Sequence, residues 1–150
     1  MSLRVVQFLV VLVTALALVP AGGHLFELPN KIDLSRDAYQ TVQGVYAGWA
    51  WLGILDLAAL IMNAVLAIRL RRQCLAFSFA LTSALCFVVF FVIFFTWTFP
   101  ANQATVNWTA LPDDWSRLRQ KWEYSHAANA VVILIALCAV TLSVITARPY

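Results

Sequence analysis

Charged residues are scarce in this sequence. They account for 11% of its 150 residues, whereas a soluble globular domain contains about 25%. Hydrophobic residues account for 63% of the chain. An ordinary soluble domain is therefore excluded, and most of the chain is expected to lie in a lipid bilayer. At this length we expect one domain over residues 1–150, without a separate soluble module.

Three further features are missing, and each absence argues against a class of protein. Cys74, Cys86 and Cys138 form no paired motif and lie in or beside apolar runs, so neither a disulfide scaffold nor thiol redox chemistry is expected. The ten Lys and Arg residues form no single basic patch, so nucleic acid is not expected as a partner. No internal repeat is visible, which disfavours a transporter.

Four apolar runs are each long enough to cross a bilayer, which requires about 20 residues in a helix. Asp56 is the only charged residue within them. The chain is thus predicted to be an all-α, integral membrane four-helix bundle with two longer extracytoplasmic connections. The first run, preceded by Arg4, also fits a signal peptide, but its length favours a retained helix. The runs cover residues 5–23, 44–68, 74–99 and 127–147.

The distribution of basic residues predicts the orientation in the membrane. The side that holds both chain termini carries five basic residues and no acid, in short segments where the positive-inside rule applies best. The side with the long connections carries both basic and acidic residues. We therefore expect both termini in the cytoplasm, in a bacterial inner membrane. The five basic residues are Arg4, Arg69, Arg71, Arg72 and Arg148.

The only two histidines are expected at one depth, near the outer end of the bundle. Counting helical residues from the inner ends places His24 and His126 at a similar level. Each has a carboxylate one helical turn away, Glu27 and Glu123 respectively, and residues three apart share a helix face. Because Glu-x-x-His is the ligand unit of di-iron bundles, the four residues form a candidate site for a transition metal or a haem. Two alternatives remain open: an acid–base pair without metal, or histidines satisfied by solvent at the interface.

All six tryptophans lie in the outer half of the bundle or in its loops. An interfacial belt would place tryptophan at both membrane faces, whereas the inner face has none. The one-sided excess predicts an aromatic pocket for a small hydrophobic molecule. The candidate substrate-binding residues are Trp49, Trp97, Trp108, Trp115 and Trp122.

Asp56 and Asn63 are polar residues on one face of the second run. Asp56 is expected about 10 Å below the level of the histidines. A charge at this depth faces the bundle interior, where a hydrogen bond to a neighbour such as Thr82 or Ser83 would satisfy it. The alternative is a proton path or a deeper part of the site.

Gly44 and Gly48 form a small-xxx-small pattern at the start of the second run. In a membrane helix this pattern permits close approach of a second helix. The partner would be another helix of the bundle or a second copy of the chain, in a homo-oligomer.

A group of motifs between residues 99 and 129 resembles a known family of small four-span membrane proteins of unknown function, which includes the fungal anthrone oxygenases. This resemblance implies an oxygenase that inserts oxygen from O₂ into a reduced aromatic compound without a well-defined cofactor. It makes Asn102, Glu123 and His126 the catalytic candidates. The segment 23–31 departs from the fungal pattern, which leaves the substrate open. The motifs are Phe99-Pro100-Ala101-Asn102, Asn107-Trp108, Pro112-Asp113-Asp114-Trp115 and Trp122-Glu123-Tyr124-Ser125-His126.

Two classes of function are compatible with these patterns. The first is a membrane-embedded oxygenase or oxidoreductase that acts on a small hydrophobic aromatic or quinone-like compound at the outer end of the bundle, with a metal as a candidate cofactor. The second is non-enzymatic: an accessory subunit, or a b-type haem protein that uses His24 and His126 as axial ligands.

Overall fold

The computed structural model describes residues 2–148, and within this range the chain is helical and contains no strand. The predicted all-α fold is confirmed; residues 1, 149 and 150 of the predicted domain lie outside the described range. A π-helical turn, Phe94–Thr98, joins α4 to α5, so that Cys74–Ala104 is one continuous helix. The α-helices of this range are α1 Leu3–Lys31, α2 Arg36–Gln43, α3 Gly53–Leu70, α4 Cys74–Ile93, α5 Phe99–Ala104 and α6 Trp115–Thr146.

The long helices pack as a four-helix bundle. α1 and α4 each pack against both α3 and α6, so α3 and α6 occupy diagonal corners. Alanines such as Ala59 and Ala136 are buried where helices meet, because small residues let the backbones approach closely. The hydroxyls of Ser83 and Ser143 on neighbouring helices donate across the α4–α6 contact to the carbonyls of Ala136 (2.9 Å) and Ala76 (2.8 Å).

The exterior of the bundle is apolar. Large hydrophobic side chains such as Val19, Ile54 and Ile145 are exposed, which suits lipid and not water. Four helical segments are long and apolar enough to cross a bilayer, and the chain is accordingly an integral membrane protein. These segments are Leu3–Lys31, Trp49–Leu70, Cys74–Ala104 and Trp115–Thr146. We call the end of the bundle that carries the connections 32–52 and 105–114 the loop end.

The first helix is longer than the apolar run that predicted it. It passes Gly22 and Gly23 and ends at Lys31, and the N–H of Ile32 still donates to the carbonyl of Leu28 (3.0 Å). Lys31 in the last turn interacts favourably with the helix dipole. The helix therefore brings its charged final turns into the loop end.

The second membrane helix begins later than predicted. 3₁₀ turns occupy Gly44–Tyr46 and Trp49–Leu52, and between them Gly48 has a φ of +86°, a left-handed conformation that interrupts an α-helix. The helix-packing role predicted for Gly44 and Gly48 within the bundle is therefore wrong. Neither glycine lies inside an α-helix, and a Cβ added to either would meet no atom within 4 Å.

Candidate functional site

A cavity of about 720 Å³ lies at the loop end, between the membrane helices. This volume is within the range of small-molecule sites in proteins. The walls combine aromatic and small apolar side chains with a limited number of polar groups. The aromatic residues are Tyr46, Trp49, Phe90, Phe94, Trp108 and Trp122. The polar residues are His24, Gln40, Gln43, Asp56, Asn102, Asn107, Thr109, His126 and Asn129.

The two histidines meet in this cavity. The ring centroids of His24 and His126 are 4.1 Å apart, with an angle of 32° between the ring planes. Aromatic rings surround them: His24 lies 4.6 Å from Tyr46 and 5.0 Å from Trp122. His24 is 5% exposed, and its Nδ1 atom has no hydrogen-bond partner among the described residues. The predicted convergence of the histidines is confirmed, and one imidazole nitrogen forms no hydrogen bond within the described residues.

The spacing of the imidazoles disfavours a haem between them. Two axial ligands lie on opposite faces of the porphyrin. With metal–nitrogen distances of about 2.0 Å, their ring centroids are roughly 6 Å apart. At 4.1 Å the rings of His24 and His126 leave no room for a porphyrin plane.

The carboxylates of Glu27 and Glu123 contact Lys31 and do not form a ligand set with the imidazoles. Lys31 Nζ lies 3.1 Å from Glu123 Oε1 and 3.8 Å from Glu27 Oε2. It also donates to the hydroxyl of Tyr46 (2.7 Å), which in turn donates to Glu27. Because Lys31 occupies both carboxylates, the predicted set of four metal ligands is not assembled. Within residues 2–148, no group of three or more His, Cys, Asp or Glu side chains could hold a metal ion.

Tyr39 on α2 extends this ion pair into a buried hydrogen-bond network. Its hydroxyl donates to Glu123 Oε1 (2.8 Å) and accepts from Gln43 Nε2 (2.5 Å). Burial, and after it the negative charge of Glu123, raises the pKa of the Tyr39 phenol above its ordinary value. Gln43 and Tyr46 also line the cavity, so the network reaches the cavity wall.

Asn102 holds two tryptophans of the cavity wall. Its Oδ1 atom accepts hydrogen bonds from the indole Nε1 of Trp108 (3.2 Å) and of Trp122 (2.8 Å). Trp108 ends a left-handed turn in which Val106 and Asn107 also have positive φ angles, and it is 5% exposed. Both indole bonds use the amide oxygen, and the NH₂ group of Asn102 has no hydrogen-bond partner in the described part of the chain.

Two of the tryptophans predicted to line the pocket lie outside the cavity. Trp97 is 44% exposed and lines a separate groove with Lys121 and Tyr124. Trp115 packs against Arg119, whose guanidinium carbon lies 4.7 Å from the ring centroid. The pocket prediction is wrong for these two residues because neither a shared depth nor a shared helix face places a side chain in the cavity; its direction also depends on how its helix is rotated against the others.

Asp56 lines the cavity and does not form the predicted hydrogen bond. The hydroxyls of Thr82 and Ser83 donate instead to backbone carbonyls of α4 and α6. Asp56 has no hydrogen-bond partner within residues 2–148, and its side chain is half-buried. Asn63 is completely buried below the cavity and donates to Thr14 Oγ1 (3.1 Å).

The sequence interpretation overlooked three residues of this region. Lys31 lies four residues after Glu27, a spacing that favours an ion pair on a helix and was a usable signal. Asn129, by contrast, lies on the face of α6 that carries Trp122 and His126; its spacing predicts that this face packs inward, and Asn129 is buried. Tyr39 and Tyr46 carry no such signal, because their contacts join segments that are distant in sequence.

Comparison with protein-family models, with curated proteins and with solved structures gives no match for this chain. The resemblance to the anthrone oxygenases therefore stays a hypothesis.

Proposed function

We propose that this integral membrane protein binds a small hydrophobic aromatic or quinone-like compound in the loop-end cavity and oxidises it with O₂, as the resemblance to the anthrone oxygenases implies. One observation carries the proposal. His24 and His126 contact each other in an aromatic-walled cavity, and no hydrogen bond within the described residues occupies their rings. A mostly apolar cavity with a few polar groups is typical of a site for an apolar ligand.

The imidazoles supply the base that this reaction needs. A neutral imidazole has one nitrogen lone pair available, and it can accept a proton from an activated CH₂ group of a reduced aromatic compound. The carbanion then reduces O₂. One oxygen atom becomes the new carbonyl and the other leaves as water, so that CH₂ and O₂ give C=O and H₂O. The imidazolium returns its proton to the oxygen that leaves.

Asn102 and Glu123 have different parts in this proposal. The free NH₂ group of Asn102 supports a role as a donor to the oxyanion that develops during the reaction. Glu123 is bound by Lys31 and Tyr39, which favours a positioning role: it fixes α6 so that His126 faces the cavity.

The proposed setting is a bacterial inner membrane with both chain termini in the cytoplasm. The arginines near the termini and in the short connection after α3 support this orientation. The cavity would then lie on the extracytoplasmic side, at the depth where an apolar compound dissolved in the outer leaflet meets the protein.

Oxygen uptake by the purified protein in nanodiscs tests the proposal. With an anthrone as substrate, we expect uptake that requires the protein. His24→Gln combined with His126→Gln should lower the rate at least about 100-fold, because a general base contributes a factor of this size or more. Trp97→Phe, outside the cavity, is the control and should retain the rate. Unchanged oxygen uptake in the double variant would show that the histidines are not the base. No oxygen uptake by the wild type would favour the accessory-subunit alternative.

A further inference from the structure

Asn129 is a buried amide without a partner. It is 1% exposed, and neither its Oδ1 nor its Nδ2 atom forms a hydrogen bond within the described residues. It lines the cavity and lies one turn beyond His126, roughly 4.5 Å deeper along α6. Buried amides are normally bonded: the Nδ2 atom of the buried Asn63 donates to Thr14 and to the carbonyl of Ala59. The free amide of Asn129 therefore points to a ligand group.

Asp56 faces the same cavity from the opposite corner of the bundle. It lies on α3, diagonal to α6, and it too has no hydrogen-bond partner in the part of the chain that the structure describes. A ligand between these two helices can contact both Asn129 and Asp56. The cavity thus has polar groups at more than one depth, with the imidazoles uppermost and this amide and carboxyl below them.

We propose that Asn129 and Asp56 form a second polar subsite, which binds a hydroxyl group of the ligand. A hydroxyl suits both residues because it can accept from Asn129 Nδ2 and can donate to the carboxyl group of Asp56. The ligand is then a flat aromatic compound that presents its reacting CH₂ group to the imidazoles and a hydroxyl to the second subsite. An aromatic diol mimics it, with one hydroxyl in the place of the CH₂ group. This inference rests on the proposed function, because it uses the same cavity, but it concerns binding and requires no reaction.

Calorimetric titration of the full chain in nanodiscs, corrected with empty nanodiscs, tests the second subsite. The probes are a naphthalenediol with its hydroxyls on opposite rings, the corresponding mono-naphthol, and the dimethyl ether of the diol, which cannot donate. We expect the wild type to bind the diol about tenfold more tightly than the naphthol, since a buried hydrogen bond contributes this order of affinity. The dimethyl ether should bind no better than the naphthol.

Two variants at the subsite and one matched control complete the test. Asn129→Leu has a similar shape and removes an unpaired amide, so the variant should fold; it should bind the diol and the naphthol equally, with unchanged affinity for the naphthol. Asp56→Leu should also reduce the preference for the diol. Asn63→Leu is the matched control, because it makes the same substitution at a buried asparagine that does not line the cavity. This variant should retain the preference for the diol.

The outcomes separate this inference from the proposed function. A tenfold preference for the diol that persists in Asn129→Leu and in Asp56→Leu would overturn the second subsite, because the free groups would then be satisfied by water alone. Binding of aromatic compounds in the cavity would still stand. If the wild type binds none of the three probes, both the subsite and the proposed function fail.

Discussion

At the scale of single residues, Lys31 holds together the charges at the loop end. It is 3% exposed, and it pairs with Glu123, which is 0% exposed. A methionine at this position keeps the length of the side chain but leaves the buried carboxylate without its cation. Removing one partner of a buried ion pair costs about 3–5 kcal/mol. We predict that Lys31→Met lowers the free energy of unfolding by about 3 kcal/mol, measured by SDS titration in mixed micelles.

The control for this prediction is Lys121→Met, the same substitution at an exposed position of α6. For this variant we expect the free energy of unfolding to change by no more than about 0.5 kcal/mol. Adding Glu123→Gln to Lys31→Met removes the uncompensated charge and should recover part of the lost stability. Equal effects of the two lysine substitutions would show that the buried ion pair is unimportant.

Tyr39 predicts how stability changes at alkaline pH. Burial, and then the charge of Glu123, raises the pKa of its phenol in the folded protein, whereas in the unfolded chain it titrates at about 10. Below that value both states are protonated, and the contribution to stability is complete. Above it the unfolded state releases a proton that the folded state keeps, so stability falls as the pH rises.

The measurement is the difference in unfolding free energy between the wild type and Tyr39→Phe. We expect this difference to be constant from about pH 8 to about pH 10 and to decrease at higher pH. Because both proteins share all other titrating groups, subtraction removes their effects. A difference that does not change above about pH 10 would contradict the burial of this phenol.

At the scale of elements, Gly48 decides where α3 begins. Its φ is +86°, whereas the φ of Gly44 is −59°. An added Cβ meets no atom at either position, so only the backbone conformation distinguishes them. We predict that Gly48→Ala lowers the free energy of unfolding by about 1 kcal/mol, whereas Gly44→Ala leaves it unchanged or raises it slightly. SDS titration of both variants checks this, and equal effects would contradict the left-handed turn.

The existence of the long helices could be predicted because a bilayer requires every backbone group to be bonded within the segment, and hydropathy reports this requirement directly. The residues at which these helices begin or end on the side of the loop end could not be predicted. α1 continues to Lys31 with charged residues that are acceptable there because Glu123 and Tyr39 contact them. These partners come from α6 and α2, and no local pattern in the sequence contains them.

The candidate site could be predicted in depth but not in its contacts. The rise of a helix is constant, so counting residues was enough to bring His24 and His126 to one level. Whether a carboxylate meets a histidine or a lysine depends on the rotation of each helix about its axis. That rotation is set by the packing of small residues across the bundle, which is why Glu27 and Glu123 were assigned to a metal and are found bound to Lys31.

At the scale of the whole molecule, the orientation in the membrane can be tested by labelling. In a variant without the native cysteines, Thr109→Cys reports on the loop end and Arg71→Cys on the opposite end; both positions are exposed. We predict that a membrane-impermeant maleimide labels Thr109→Cys in intact spheroplasts, and labels Arg71→Cys only after the membrane is permeabilised. The reverse pattern would place the cavity on the cytoplasmic side.

The π-helical turn Phe94–Thr98 has a consequence for how the third membrane helix can vary. Such a turn contains one residue more than an α-helical turn, and each residue rotates a helix by about 100°. Deleting Thr96 would restore the α-helical repeat and rotate α5 by that angle relative to α4. Asn102 would then leave the two indoles that it holds. A related chain shorter by one residue here would have to hold Trp108 and Trp122 with a different side chain, so the length of this turn and the identity of residue 102 are expected to change together.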